Sequence, residues 1–249
     1  MTWERRTHWE EVWGTVVTFE VRDRHIEEES LHSATSEAVG FLHHVDDVFS
    51  TYKPTSIISL VRAGVLTETE ARSPDYVEVV KACRDMKALT GGRFDPWAVP
   101  DGVDFSGFVK GWAAQAVAAI FKQHGFANTS INAAGDVWCA GFQAPEHPWT
   151  VGIQHPFDNN SIMKTVHASD QAVCTSGTYR KGFHIIDPRT QGPATSSIVS
   201  ATVLGPAGGT ADALASALVV NGVDGRSWFA GLPGWSAVIV TDTHEVFTW

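Results

Sequence analysis

The sequence predicts an α+β fold: one compact unit of mixed strands and helices spanning residues 1–249. Three observations carry that expectation. Strand-like and helix-like patterns follow one another in mixed order. The longest helical patterns carry apolar stripes suited to one face of a core. No linker, repeat or low-complexity block divides the 249 residues, which are enough to bury a sizeable core.

The elements follow in order. Val12–Val21 alternates and is rich in Val, Thr and Phe, which predicts a strand. Glu27–Phe49 has a charged start and apolar residues at helical spacing, a long amphipathic helix. A turn led by Pro54 precedes a short helix over Ser56–Val61. Tyr76–Leu89 reads as a helix stopped by Gly91 and Gly92. Arg93–Asp104 is irregular. Ser106–His124 is a strong helix with stripes Phe108, Trp112, Ala116, Ile120 and Val109, Ala113, Val117, Phe121. Thr129–Ala133, Trp149–Ile153, Ile162–His167, Phe183–Ile186 and Ile198–Leu204 read as strands, and Thr210–Val220 as a helix. Trp235–Val240 and Glu245–Trp249 close the chain as a hairpin around Asp242–His244.

Composition removes several function classes. The formal net charge of −10 argues against a nucleic-acid binder that tracks phosphates, and against an anionic membrane surface as partner. No apolar stretch approaches the length of a membrane span. The start, MTWERRTHWEEVWG, lacks the apolar segment of a secretory signal. Cys83, Cys139 and Cys174 are odd in number and scattered, as expected of reduced thiols. Together these features predict a cytoplasmic protein. Zinc-ligand spacing and the Rossmann, Walker A and GxSxG signatures are absent from the sequence.

The richest segment for function is Ala168–Gly192, ASDQAVCTSGTYRKGFHIIDPRTQG. It sets Asp170, Thr175, Ser176, Tyr179, Arg180, His184, Asp187 and Arg189 among small and apolar residues, a mixture suited to a polar-ligand site on buried strand residues. Two other constellations stand out. Asp104 and Lys110 flank the start of the Ser106–His124 helix. They either aim amides and one cation at an anion, or Asp104 or Ser106 simply caps the helix. Asp212 and Ser216, four apart, share a helical face. They form either half a shell for Mg²⁺ or an ordinary first-turn Asp beside a buried Ser. His184 in an apolar strand reads equally as a half-buried strand residue, and Phe94-Asp95-Pro96 as a turn.

In this order, several stretches resemble the FAD:protein FMN transferase (ApbE, or flavin-transferase) family. They are Gly14-Thr15, FSTYKPTS (Phe49–Ser56), GGRFDP (Gly91–Pro96), DFSGFVKGW (Asp104–Trp112) and NTSINAAGDVWCAG (Asn128–Gly141). WTVGIQHP (Trp149–Pro156), TSGTYRKGFHIIDPRTQGP (Thr175–Pro193) and ATVLGPAGGTADALASAL (Ala201–Leu218) complete the set, which covers nearly the whole chain.

The resemblance implies an ApbE-like, T-fold-related architecture. It implies FAD as substrate, Mg²⁺ as cofactor, and transfer of FMN to a Thr or Ser hydroxyl of an acceptor flavoprotein with release of AMP. Hydrolysis of FAD and FAD binding without turnover are the alternatives. It places Asp212, Ser216 and the Gly107 carbonyl on the metal, and Asp104 and Lys110 on FAD. His184 would be the base, and Trp13, Tyr52, Arg93, Phe94, Asp95 and Ile186 would line flavin or adenine. The chain departs from the family pattern at Gln115, where Asp is usual. It also departs at Trp97–Val103, which stands in place of some tens of residues that border the flavin site.

Overall fold

The computed structural model describes residues 3–100, 102–178 and 185–249. Strands β1 (Glu4–Val12) and β2 (Thr15–Asp23) form a hairpin paired from Glu4↔Asp23 to Val12↔Thr15. Trp13 and Gly14 make its turn with φ of 61° and 66°. Positive φ at both central residues is the turn geometry that matches strand twist. The expected single strand Val12–Val21 is therefore corrected: residues 4–12 form a second one. Its outward positions carry Arg5, Thr7, Trp9 and Glu11, so no apolar run betrays it.

The helices follow their caps. In α1 (Glu28–Phe49) the Glu27 carboxylate accepts from the Glu29 and Ser30 amides. Ser56 caps α2 (Ile57–Arg62), and Ser73 caps α3 (Pro74–Leu89), whose proline sits in the first turn. Next come α4 (Ser106–Gln123), β3 (Thr129–Ala133), β4 (Asp136–Ala140), β5 (Phe142–Ala144), β6 (His147–His155), β7 (Asp158–Ala168) and β8 (Gln171–Gly177). After β9 (Ile186–Asp187), β10 (Gly192–Pro193) and β11 (Ile198–Gly205) the chain forms α5 (Gly208–Asn221), α6 (Arg226–Phe229), β12 (Ser236–Thr241) and β13 (Val246–Thr248). Of the expected strand Phe183–Ile186, Phe183 and His184 lie outside the described residues; the strand found is Ile186–Asp187. The expected strands over Trp149–Ile153 and Ile162–His167 extend to nine and eleven residues.

The main sheet is antiparallel throughout, in the order β1-β2-β3-β4-β8-β11-β12-β13. One face carries Val17, Phe19, Ile131, Ala133, Cys174, Ala201 and Val203 into a core with α1, α4 and α5. On the other face Val137, Cys139 and Val173 meet Trp149 and Ala168 of the β6–β7 hairpin. The central strand β8 has both faces covered. Among the described residues no helix is long and apolar enough to cross a membrane.

Two features position the site. Helices α4 and α5 cross where a Cβ on Gly111 would strike the Gly208 carbonyl, and one on Gly208 the Gly111 carbonyl, so both positions require glycine. Register then sets the sheet edge. Val17 pairs with Ala133, Ala133 with Asp136, and Val137 with Val173. The β1–β2 turn, the β3–β4 turn and the C-terminal end of β8 therefore share one end of the sheet.

Candidate functional site

From the Gly111–Gly208 crossing toward that end of the sheet, the helices line a track of polar groups. The first is Lys110. Its Nζ donates to Asp212 Oδ2 at 2.9 Å and lies 3.0 Å from Asp136 Oδ2, and it also donates to the Ser106 carbonyl at 2.9 Å. Asp136 and Asp212 are only 3% and 2% exposed. The second oxygen of Asp136 accepts the Thr175 amide at 3.1 Å. One turn further along α5, Ser216 Oγ meets Ser176 Oγ at 2.9 Å. A Cβ on Gly107 would lie 3.4 Å from Ser216 Oγ and 3.3 Å from the Phe94 ring, which places Gly107 and Phe94 beside that hydroxyl pair.

The electrostatics follow from burial. Desolvation, with Asp136 as a like charge, pushes the Asp212 carboxyl up to about 7, while Lys110 pulls it the other way. Burial disfavours the Lys110 ammonium, but Asp136 and Asp212 together outweigh it and hold the amine above the ordinary lysine range. One cation between two buried carboxylates leaves a formal excess of one negative charge.

Toward the outer end, Arg93 donates from Nε to Asn221 and from Nη1 to the Thr90 carbonyl. Asn221 lies about 13 Å along α5 from Asp212. Arg189 grips Asp187 through both carboxylate oxygens and donates to the Val220 carbonyl at 3.3 Å. That pairing holds the Asp187 carboxyl below its usual range, and it ties the segment after β9 to the end of α5.

The structure thus brings Gly107, Lys110, Asp212, Ser216, Phe94 and Arg93 to one track. Ile186, half-buried and paired with Pro193, adjoins its outer end through Asp187. The Asp104 carboxylate accepts the Ser106 amide at 2.8 Å just ahead of α4, whose N-cap residue is Phe105. Asp95 is committed to Lys87 at 2.7 Å and to the Trp97 amide. Trp13 and Tyr52 stand apart from Lys110. Trp13 donates to the Leu42 carbonyl and lines a cleft of about 680 Å³ with Gly14, His43, Asp46 and Lys53, at the same end of the sheet. Tyr52 is 94% exposed. His184 lies outside the described residues.

Sequence reasoning missed Asp136 and the Ser176 contact. Ala134 and Gly135, both at positive φ, turn β3 into β4 and set Asp136 at the strand start. A Gly-containing two-residue loop between apolar runs is the signal that marks such a hairpin. On either side of the shortened stretch, the Pro96 carbonyl accepts the Asp104 amide and Trp97 packs edge-on against Phe105 at 5.5 Å. Gln115 accepts the Gly208 amide at 2.8 Å and so caps α5.

The donors present fit a hard divalent cation. They are a buried carboxylate, a hydroxyl and a neighbouring backbone, all oxygen, within an excess of negative charge. Among the described residues no cluster of three His, Cys, Asp or Glu forms a complete metal shell. Such an ion would complete its shell with water or phosphate oxygens.

An FAD:protein FMN transferase of Vibrio cholerae serotype O1 is 29% identical over 237 positions, covering 73% of this chain and 71% of that protein. Proteins of the same name from Salmonella typhimurium and Escherichia coli are 29% and 30% identical over 71% and 59% of this chain. The matches span only 55% and 45% of their own lengths. The fold superposes on the flavin transferase ApbE of Vibrio cholerae with a TM-score of 0.87 over 99% of this chain and 97% of that one, at 23% identity. An ApbE protein of Thermotoga maritima gives 0.82 over 98% and 96%, at 21%. The ApbE family model matches residues 13–101 and 99–239, its two segments meeting within the Trp97–Val103 stretch. The chain belongs to the ApbE family.

Proposed function

We propose that this chain is a Mg²⁺-dependent FAD:protein FMN transferase. The observation that carries the reading is Lys110 held between Asp136 and Asp212 beside the Gly107–Ser216 pair, in a chain of the ApbE family. The FAD pyrophosphate lies against Lys110, with the rest of the dinucleotide along the track toward Arg93 and Ile186 and in the Trp13–Tyr52 region. Asp95 and Asp104 shape the loop and the helix start beside it.

Asp212, Ser216 and the Gly107 carbonyl would hold Mg²⁺, which supplies charge neutralisation at the bridging phosphate oxygens. Lys110 adds a second cation there. The acceptor Thr or Ser oxygen attacks the FMN phosphorus, the bond from that phosphorus to the bridging oxygen breaks, and AMP leaves with the electron pair. The acceptor hydroxyl proton passes to His184, the proposed base, a role that contributes roughly 10²–10⁴-fold. The partners are then FAD and an acceptor flavoprotein. The three described cysteines are free and buried, which supports a reducing compartment, the cytoplasm. The test is AMP release from FAD and Mg²⁺. Release that requires an acceptor protein supports transfer, release without one supports hydrolysis, and FAD that stays intact removes the enzyme reading.

A further inference from the structure

Asp136 is as buried as Asp212, yet the roles assigned above leave it without one. Its two oxygens are divided. Oδ1 takes the Thr175 amide at 3.1 Å and Oδ2 faces Lys110 Nζ at 3.0 Å. The first contact anchors the carboxylate to β8, so its position is fixed by the sheet and not by the lysine. Lys110 is the member with the longer, more exposed side chain. Its side chain keeps 31% of its exposure and reaches both carboxylates from α4.

Lys110 donates to one of the two oxygens of Asp212, the carboxylate that would hold a divalent cation. A divalent cation on Asp212 would repel the ammonium beside it, which weakens the Lys110–Asp212 contact.

We propose that Asp136 is a positioning residue: it retains the Lys110 ammonium when a divalent cation takes Asp212. Lys110 and the cation then sit side by side on the pyrophosphate, each with its own carboxylate. The inference rests on the metal-assisted reading above.

The probe is Mn²⁺, followed by loss of its free EPR signal in the presence of saturating FAD and no acceptor. Asp136→Asn keeps an oxygen for the Thr175 amide and removes the charge. Lys110 then has Asp212 as its only anionic partner among these groups and competes harder with the metal. We expect Mn²⁺ affinity to fall about tenfold. The same substitution in a Lys110→Met background should change the affinity less than about twofold, because no ammonium is left to redirect. An equal loss in both backgrounds makes Asp136 a simple source of field and overturns the proposal, as does no loss in either. Failure of the unaltered protein to bind Mn²⁺ with FAD overturns the metal reading and the proposal together.

If Lys110→Met does not fold, a crystal structure of the unaltered protein with Mn²⁺ and FAD decides. Lys110 Nζ bonded to Asp136 and off Asp212 is the expected result. Lys110 released from both carboxylates is the contrary one.

Discussion

The molecule builds the same charge pattern twice, one lysine between two aspartates, with opposite consequences. Lys53 Nζ lies 2.6 Å from Asp46 and 2.8 Å from Asp47, all within the end of α1 and the turn after it. Asp47 keeps 69% of its side-chain exposure and Lys53 41%. Hydrogen bonding raises the Lys53 amine and lowers the Asp47 carboxyl, so both groups stay charged at neutral pH. Around Lys110 the geometry is similar, but both carboxylates are buried where only Asp46 is around Lys53, and Asp212 is pushed toward neutral pH. Composition and distance do not separate the two clusters; burial does. Water screens the first, whereas the second, once Asp212 is ionised, holds an uncompensated negative charge available to a ligand cation.

The largest expected difference is in turnover. Asp212→Ala should abolish AMP release, a loss of about 10³-fold or more, because the carboxylate ligand and the charge neutralisation it recruits go together. Part of the FAD affinity should survive, as read by flavin fluorescence. Asp47→Ala should leave both within twofold. Equal loss in the two variants would break the comparison.

Stability should differ next. Lys110→Met leaves two carboxylates buried without their cation. The loss should be about 2–3 kcal/mol, below the full penalty of a broken buried pair because Lys110 retains solvent contact. Lys53→Met should shift the melting temperature only slightly. Calorimetry on both variants checks this.

The pH dependence follows. The folded-state pKa of Asp212 lies at about 7, above its unfolded value of 3.8. Between these values the folded state binds the extra proton. The contribution of Asp212 to stability is therefore full below about pH 4 and is lost as pH rises through 7. Without metal, the unaltered protein should lose stability relative to Asp212→Asn from pH 4 to 7. Metal binding requires the ionised form, so Mn²⁺ affinity should rise over the same range. A stability difference that stays flat with pH would place Asp212 among the screened carboxylates, with Asp47.

The smallest effects concern the helices that carry the clusters. Gly111→Ala drives a Cβ into the Gly208 carbonyl and should cost about 1–3 kcal/mol by forcing α4 and α5 apart. On α1, a Cβ at Gly40 meets nothing within 4 Å, and Gly40→Ala should gain about 1 kcal/mol. Chemical denaturation resolves both signs.

How much of this was legible in the sequence tracks the same local-versus-distant divide. The helices were readable because capping and periodicity are local, as the starts at Glu27 and Ser56 show. Strand β1 was hidden because one of its faces is solvated and charged, and β8 because hydroxyls that face a site interrupt its apolar pattern. In the site, the Asp212–Ser216 pair was visible from helical spacing alone. Lys110 and Asp212 are 102 residues apart, and only the crossing of two glycines brings them together. Asp136 arrives through strand register, which no local pattern reports.

The most direct test of the central claim is the mass of an acceptor flavoprotein bearing a Thr or Ser site, after incubation with this chain, FAD and Mg²⁺. The account predicts one covalent FMN on the acceptor hydroxyl, AMP in equal amount, and neither product with Asp212→Ala. An unmodified acceptor beside free FMN, or an adduct formed equally well by Asp212→Ala, would contradict it.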